Sequence, residues 1–264
     1  MPTKKQIKIA TFNVNSIRAR MPIVIDWIEQ NSPDILCMQE TKVTDDQFPI
    51  EDFHKIGYFV GFHGQKSYNG VAIASKTAPK AAGSGLGDFK EPDQARLIWA
   101  NIDGINVVNT YVPQGRDVED PFYQYKFEWL RRFKKFLDSK FTPRQKVVWC
   151  GDLNVAPEDI DVHSPKTTRG HVCFNPDVTK ALYDTAEWGF TDLFRKYHPN
   201  EPKLYSWFDY RTRGSVERNI GWRVDHIFAT DSLVKKSTAC YIDLTPRKME
   251  KPSDHTPVVA EFEI

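Results

Sequence analysis

Six stretches of this 264-residue chain run apolar and then meet side chains suited to acid–base or metal chemistry. VVWCGDLNVAP stops at Asp152, with Asn154 two residues on, and IKIATFNVN stops at Asn13 and Asn15. DILCMQET carries Glu40, and NVVNTYVPQG carries Tyr111 and Gln114. WRVDHIFAT holds Asp225 inside an apolar run, and KPSDHTPVVAEFEI sets Asp254 and His255 ahead of the last one. A turn explains any single case, because Gly, Asp and Asn are turn formers. Side chains alternate along a strand, so Asp152 and Asn154 are expected on one side, at the mouth of whatever lies beyond the strand end.

If these ends converge, Glu40, Asp152, Asp225 and Asp254 repel one another by about 4 kcal/mol per close pair at an effective dielectric near 20. A cation must offset them. Carboxylates with an amide oxygen, and no cysteine or neighbouring histidine pair, suit hard Mg²⁺, with Mn²⁺ as a substitute. His255, beside one aspartate and with another in a separate strand, is the candidate for orienting and deprotonating a water. The other histidines (His54, His63, His163, His171, His198 and His226) are assigned to the surface or to structural roles. Tyr111 and Asn154 are neutral donors able to hold a non-bridging phosphate oxygen. The reaction these groups imply is metal-assisted phosphodiester hydrolysis.

The elements that must position these groups follow from the apolar pattern. Strands are predicted at 7–14, 35–39, 58–62, 71–75, 97–102, 105–112, 147–150, 224–229 and 258–264. Helices are predicted over Phe122–Phe141, apolar at Phe127, Leu130, Phe133 or Phe136, and Leu137, and over Asp177–Trp188, ended by Gly189. Short links predict hairpins, the clearest through Asp103-Gly104. The result is a mixed, largely antiparallel α/β (α+β) arrangement of packed sheets covered by helices. No internal repeat or linker divides it, so residues 1–264 read as one domain.

Composition limits the rest. A 40% hydrophobic, 27% charged, 13% aromatic chain folds, and a net charge of +1 means that any polyanion must bind a local basic face. Cys37, Cys150, Cys173 and Cys240 are scattered, which reads as buried thiols in a reducing compartment. No apolar run reaches the roughly 18 residues of a membrane span, and Met1 to Lys8 lacks a signal-peptide core, so a cytoplasmic protein is expected. RRFKK, Arg131 to Lys135, reads as the wet face of a helix. In YSWFDYRTRGSVERNIGWR, Arg211, Arg213, Arg218 and Arg223 alternate with Trp207, Phe208, Tyr210 and Trp222, a mix suited to phosphates and an unstacked nucleotide.

FNVNSIRAR, DILCMQETK, YNGVAIAS, NTYVPQG, CGDLNVAP, YSWFDYRTRG, GWRVDHIF and KPSDHTPVV, in that order, resemble the exonuclease III family of apurinic/apyrimidinic endonucleases, over Ile7 to Phe262. The resemblance implies a four-layered sandwich of two mixed sheets between helices, and a monomer acting on duplex DNA with abasic sites or 3′ blocks. It implies Glu40 as main metal ligand with Asn13 and Asp254 nearby, His255 paired with Asp225 at the attacking water, and Asp152 as proton-transfer partner. Tyr111 and Asn154 would bind the scissile phosphate, with Gln114 on the DNA side. Trp207, Trp222 and Val224 would line a pocket for an extruded abasic sugar, and Arg18 and Tyr68 would meet the DNA backbone. Asn15 stands where some members carry an acid, which leaves metal number open. The balance of endonuclease and exonuclease activity, and whether Asp152 or His255 is the base, also stay open. Two rival readings are a superfamily phosphoesterase for a small phosphorylated substrate and a non-catalytic DNA-binding module.

Overall fold

A computed structural model describes residues 5–88, 90 and 94–264, so the first four residues of the Met1–Lys8 stretch lie outside it. Among the described residues twelve strands form two six-stranded sheets. In the first the order is β11 (Ser237–Ile242), β12 (Val258–Glu263), β1 (Gln6–Asn13), β2 (Ile35–Gln39), β4 (Val71–Ser75), β3 (Phe59–His63). In the second it is β9 (Phe190–Asp192), β10 (Asp225–Thr230), β8 (Val147–Asp152), β7 (Ile105–Tyr111), β6 (Leu97–Ile102), β5 (Ala81–Ser84).

Read this way, the sheets match strand for strand. Each has one parallel pair, β1·β2 or β8·β7, with antiparallel strands on both flanks. Asn13 pairs with Gln39 across β1·β2, as Asp152 pairs with Tyr111 across β8·β7. The sequence carries no repeat because topology, and not residue identity, is what the halves share.

Three apolar layers hold the sandwich together. Ile9, Cys37 and Ile73 meet Val107, Val148, Cys150 and Ile227 between the sheets. Phe12, Leu36 and Met38 pack under α1 (Ile17–Asn31) and α2 (Ile50–Lys55). Val108, Trp149 and Phe228 pack under α3 (Pro121–Lys140), which with the short α4 (Pro165–Thr168) precedes α5 (Pro176–Ala186). These three seams separate four layers, helices, sheet, sheet and helices, and each gains about 25 cal/mol per Å² of apolar surface buried.

The expected strands and both expected helices are present within a few residues. The Asp103-Gly104 hairpin holds both residues at positive φ (51° and 77°), as a two-residue turn of the primed type requires. Strands β5, β9 and β11 were not expected; all three are sheet edges with one face in solvent, so they lack an apolar signal. Helix α1 was not expected either. It buries Ile17, Met21, Val24 and Ile28 at helical spacing and tolerates Pro22 inside it. RRFKK is only partly a wet face: Phe133 is core, and Arg132 is buried in a two-bond pair with Asp88. The cysteines are buried free thiols. Among the described residues no helix is long and apolar enough to cross a membrane.

Candidate active site

The site grows out of the space between the sheets. Strand alternation sends Ile7, Ile9, Thr11 and Asn13 of β1 to the inner face, and likewise Ile35, Cys37 and Gln39 of β2, Val107, Asn109 and Tyr111 of β7, and Val148, Cys150 and Asp152 of β8. β10 runs the other way and brings Asp225 to the same end, opposite Asp152. Along β1, β2, β7 and β8 the inner face is apolar first and polar last; along β10 the order is reversed. Just below the site a polar seam joins the sheets: Gln39 Nε2 donates to Thr11 Oγ1 at 2.8 Å and to Asn109 Oδ1 at 2.6 Å, and Asn109 Nδ2 reaches the carbonyls of Met38 and Ala72, each at 2.9 Å.

Two strand ends close with one device. The N–H of Asn154 donates to Asp152 Oδ1 and that of Asn15 to Asn13 Oδ1, both at 3.0 Å, with φ of 51° at Asn154 and 44° at Asn15. Asp152 and Asn154 do face the same cavity, but a left-handed turn puts them there and not continued strand alternation. Gly151 makes the approach possible: its φ is +139°, and a Cβ there would lie 1.9 Å from the Thr110 carbonyl oxygen.

Asp152 is the centre of the polar cluster. Asn13 Nδ2 donates to Asp152 Oδ2 and to Glu40 Oε1, each at 2.8 Å. His255 Nδ1 meets Asp225 Oδ2 at 2.8 Å, and its Nε2 faces Asp152 Oδ2 at 3.7 Å. Burial of Asp152, with Asp225 and Glu40 nearby, pushes its carboxyl up to about 7 against the pull of His255. His255 is desolvated too, but the charges of Asp225 and Asp152 prevail and raise it to about 10. Burial, with Glu40 and Asp152 beside it, holds the Tyr111 phenol well above its ordinary value, so it remains a neutral donor. Asp254 accepts from Asn15 Nδ2 (2.9 Å) and Trp207 Nε1 (3.0 Å); His255 and these donors outweigh its burial and hold it low.

The donor set fits a divalent cation. One ligand atom from each of Glu40, Asp152 and His255 lies within 4.8 Å of the other two, and Asp225 Oδ1 is buried without a partner. Raised proton affinities on two members say the same thing: the cluster is short of positive charge. Asn13 turns its Nδ2 to the carboxylates because its Oδ1 holds the Asn15 N–H. Flipping the amide would break that bond and aim an oxygen at two carboxylates, so in this arrangement Asn13 is a donor to the cluster.

Beside the cluster opens a cavity of about 270 Å³ lined by Glu40, Tyr111, Gln114, Asp152, Asn154, His171, Cys173, Trp207, Trp222, Val224, Asp254 and His255. Trp207 and Trp222 meet edge-on at 6.1 Å. His171, expected to be merely structural or exposed, packs edge-on against Trp222 at 4.7 Å in the cavity wall. Tyr68 is 71% exposed, on the loop before β4. Arg18 is exposed on α1 outside this cavity, in a depression shared with Asp26, Glu29 and Asp52.

Arg223 departs from its expected phosphate role. It is fully buried and clamped to Asp161 and Asp192, behind the wall formed by its neighbours Trp222 and Val224. Arg211 is paired with Asp209. Three cations at the site were missed. Arg96 stacks on the Tyr111 ring at 4.8 Å and donates to its carbonyl. Lys126, buried on α3, donates to the carbonyls of Asn154 (2.8 Å) and Val172 (2.7 Å). Lys42 lies 2.8 Å from Glu40. Their signal was present only as a basic residue inside an apolar run or beside a strand end, which a surface lysine shares.

With this geometry in view, comparison with known proteins is direct. Residues 10–255 match the model of the Endonuclease/Exonuclease/phosphatase family. Exodeoxyribonuclease III of Haemophilus influenzae is 34% identical, over 97% of this chain and 100% of its own. An AP endonuclease from Archaeoglobus fulgidus superposes with a TM-score of 0.94 at 53% identity, covering 98% of this chain and all of that one. A 3′ phosphatase from Neisseria, bound to product DNA hairpin, superposes at 0.93 with 35% identity and the same coverage. The chain belongs to the endonuclease/exonuclease/phosphatase family, among its exodeoxyribonuclease III and AP endonuclease members.

Proposed function

We propose that this protein is a Mg²⁺-dependent DNA repair nuclease that hydrolyses the phosphodiester 5′ to abasic sites in duplex DNA and trims blocked 3′ ends. The observation that carries the reading is the joining, in one cavity, of a carboxylate–histidine cluster with two edge-on tryptophans. The first suits phosphoester hydrolysis; the second suits a sugar that has left the stack. The relatives' activities on DNA support the substrate class.

Glu40 is the principal carboxylate for the cation, with Asp152 in reach and Asp254 held one step back by Asn15 and Trp207. A bound Mg²⁺ would supply charge neutralisation on the phosphate and lower the pKa of the attacking water. His255, kept protonated by Asp225, donates through Nε2 toward a non-bridging oxygen. Asp152, whose proton affinity lies near neutrality, takes the proton of the water as the water oxygen bonds to phosphorus; the P–O3′ bond breaks, and the 3′-oxygen leaves and takes a proton from solvent. Tyr111 and Asn154 hold the phosphate as neutral donors, while Tyr68 and Gln114 meet the DNA at the rim. The protein acts as a monomer with a single domain over residues 1–264, in the cytoplasm.

The test is a gel assay on a duplex with one abasic analogue and on a 3′-phosphate end, with Mg²⁺ or chelator. Internal incision and 3′ trimming that both need the metal, and that Asp152→Asn abolishes, are expected. Turnover of a small phosphomonoester with no cutting of either duplex would overturn the reading.

A further inference from the structure

The carboxylate cluster already holds a cation of the chain's own. Lys42 Nζ lies 2.8 Å from Glu40 Oε2 and 2.5 Å from Asn15 Oδ1. Asn13 Nδ2 occupies the other Glu40 oxygen at 2.8 Å. Both oxygens that a hard cation would use therefore face donors from the protein.

The backbone makes this contact a built one. Glu40 and Lys42 both sit at positive φ, 52° and 55°, a conformation that side-chain-bearing residues keep only when their surroundings enforce it. Four main-chain bonds enforce it here: Ser16 N–H to Glu40, Ile17 N–H to Thr41, Thr41 N–H to Gly70 and Lys42 N–H to Asn69. Gly70 must stay a glycine for that clamp, since a Cβ would meet Thr41 Oγ1 at 2.1 Å. The polar line then continues away from Lys42 through Asn15 to Asp254 and Trp207.

We infer that Lys42 is the resident counter-cation of Glu40, and that a divalent metal must displace its ammonium from Oε2 in order to bind. A monovalent and a divalent cation on one carboxylate oxygen repel each other, so the two states exclude one another. Lys42 thereby offsets part of the negative charge of the metal-free cluster and lowers its metal affinity. The inference rests on the metal reading of the site given above.

Mn²⁺ binding followed by EPR tests both, without turnover. Wild type, Lys42→Met, Lys42→Arg and Glu40→Gln are titrated, with melting temperatures recorded. Lys42→Met should bind about tenfold tighter, a modest figure because both side chains are partly solvated, while Lys42→Arg stays near wild type. Unchanged or weaker binding in Lys42→Met, with binding lost in Glu40→Gln, would overturn the inference and leave the metal reading intact. Equal binding in wild type and Glu40→Gln would overturn the metal reading itself. A second measurement needs no change at position 42: in ¹⁵N-lysine-labelled protein, assigned with Lys42→Arg, the Lys42 ammonium resonance should shift and exchange faster on Mg²⁺ addition. A resonance indifferent to Mg²⁺ in wild type would also overturn the inference.

Discussion

Asn13 Nδ2, at the end of β1 in one sheet, lies 2.8 Å from Asp152 Oδ2, at the end of β8 in the other. One neutral amide thus bridges the sheets and separates two carboxylates, donating to Glu40 with its other hydrogen. Hydrogen bonds to charged acceptors are each worth about 1.5–3 kcal/mol when buried.

Asn13→Asp should therefore be damaging despite its small change in shape. It removes both donors and adds a third carboxylate to the gap. The metal-free protein is expected to lose about 2–4 kcal/mol, part of which Mg²⁺ restores. Thermal melts with and without Mg²⁺ check this; a melting temperature equal to wild type in chelator would show that the amide separates nothing.

A pH series tests the histidine. His255 is raised from its ordinary 6.5 to about 10, so the stability it contributes is complete below pH 6.5 and is lost as pH climbs toward 10. Asp152, raised from 3.8 to about 7, has a slope of the same sign over the lower window. In chelator the protein should lose stability steadily from pH 6.5 to 9.5, and His255→Gln should flatten that slope. Parallel profiles for the two proteins would mean that His255 does not hold the extra proton.

Gly151→Ala should dismantle the end of β8. The added methyl meets the Thr110 carbonyl, and the φ of +139° is one that alanine rarely adopts. A loss of about 2–4 kcal/mol is expected, together with activity, from local strain and displacement of Asp152. Denaturant melts measure it; wild-type stability would mean that the two strands separate more easily than their register implies.

Trp207→Ala separates lesion recognition from hydrolysis. The ring lies in the cavity wall and its N–H holds Asp254, so it is not plain core. The variant should lose about 1–3 kcal/mol of selectivity for an abasic duplex over a minimal phosphodiester. The ratio of the two kcat/KM values is the measurement, and an unchanged ratio would remove Trp207 from the recognition surface.

Much of this site was legible because inner-face alternation is written in period two. Ile9, Thr11 and Asn13, or Val148, Cys150 and Asp152, state in sequence both the core and where it turns polar. Edge strands such as β5 and β9 were not legible, since half-solvated residues carry no such period. Charge partners were least legible of all. Arg223 reads like a phosphate ligand until Asp161, 62 residues away, is found against it. Lys42 reads like a solvated lysine until the turn at Glu40 folds it back. Such pairings are made by tertiary closure and leave no local trace.

The two sheets also differ in how the chain supplies them. The second is drawn from one unbroken stretch, Ala81 to Thr230, whereas the first needs β1 to β4 and then waits for β11 and β12. Synthesis therefore delivers Glu40 and Asp152 early and Asp254 and His255 last. A nascent chain at residue 230 holds Glu40 and Asp152 but neither Asp254 nor His255, so the candidate site closes only when the segment leading into β12 joins the first sheet.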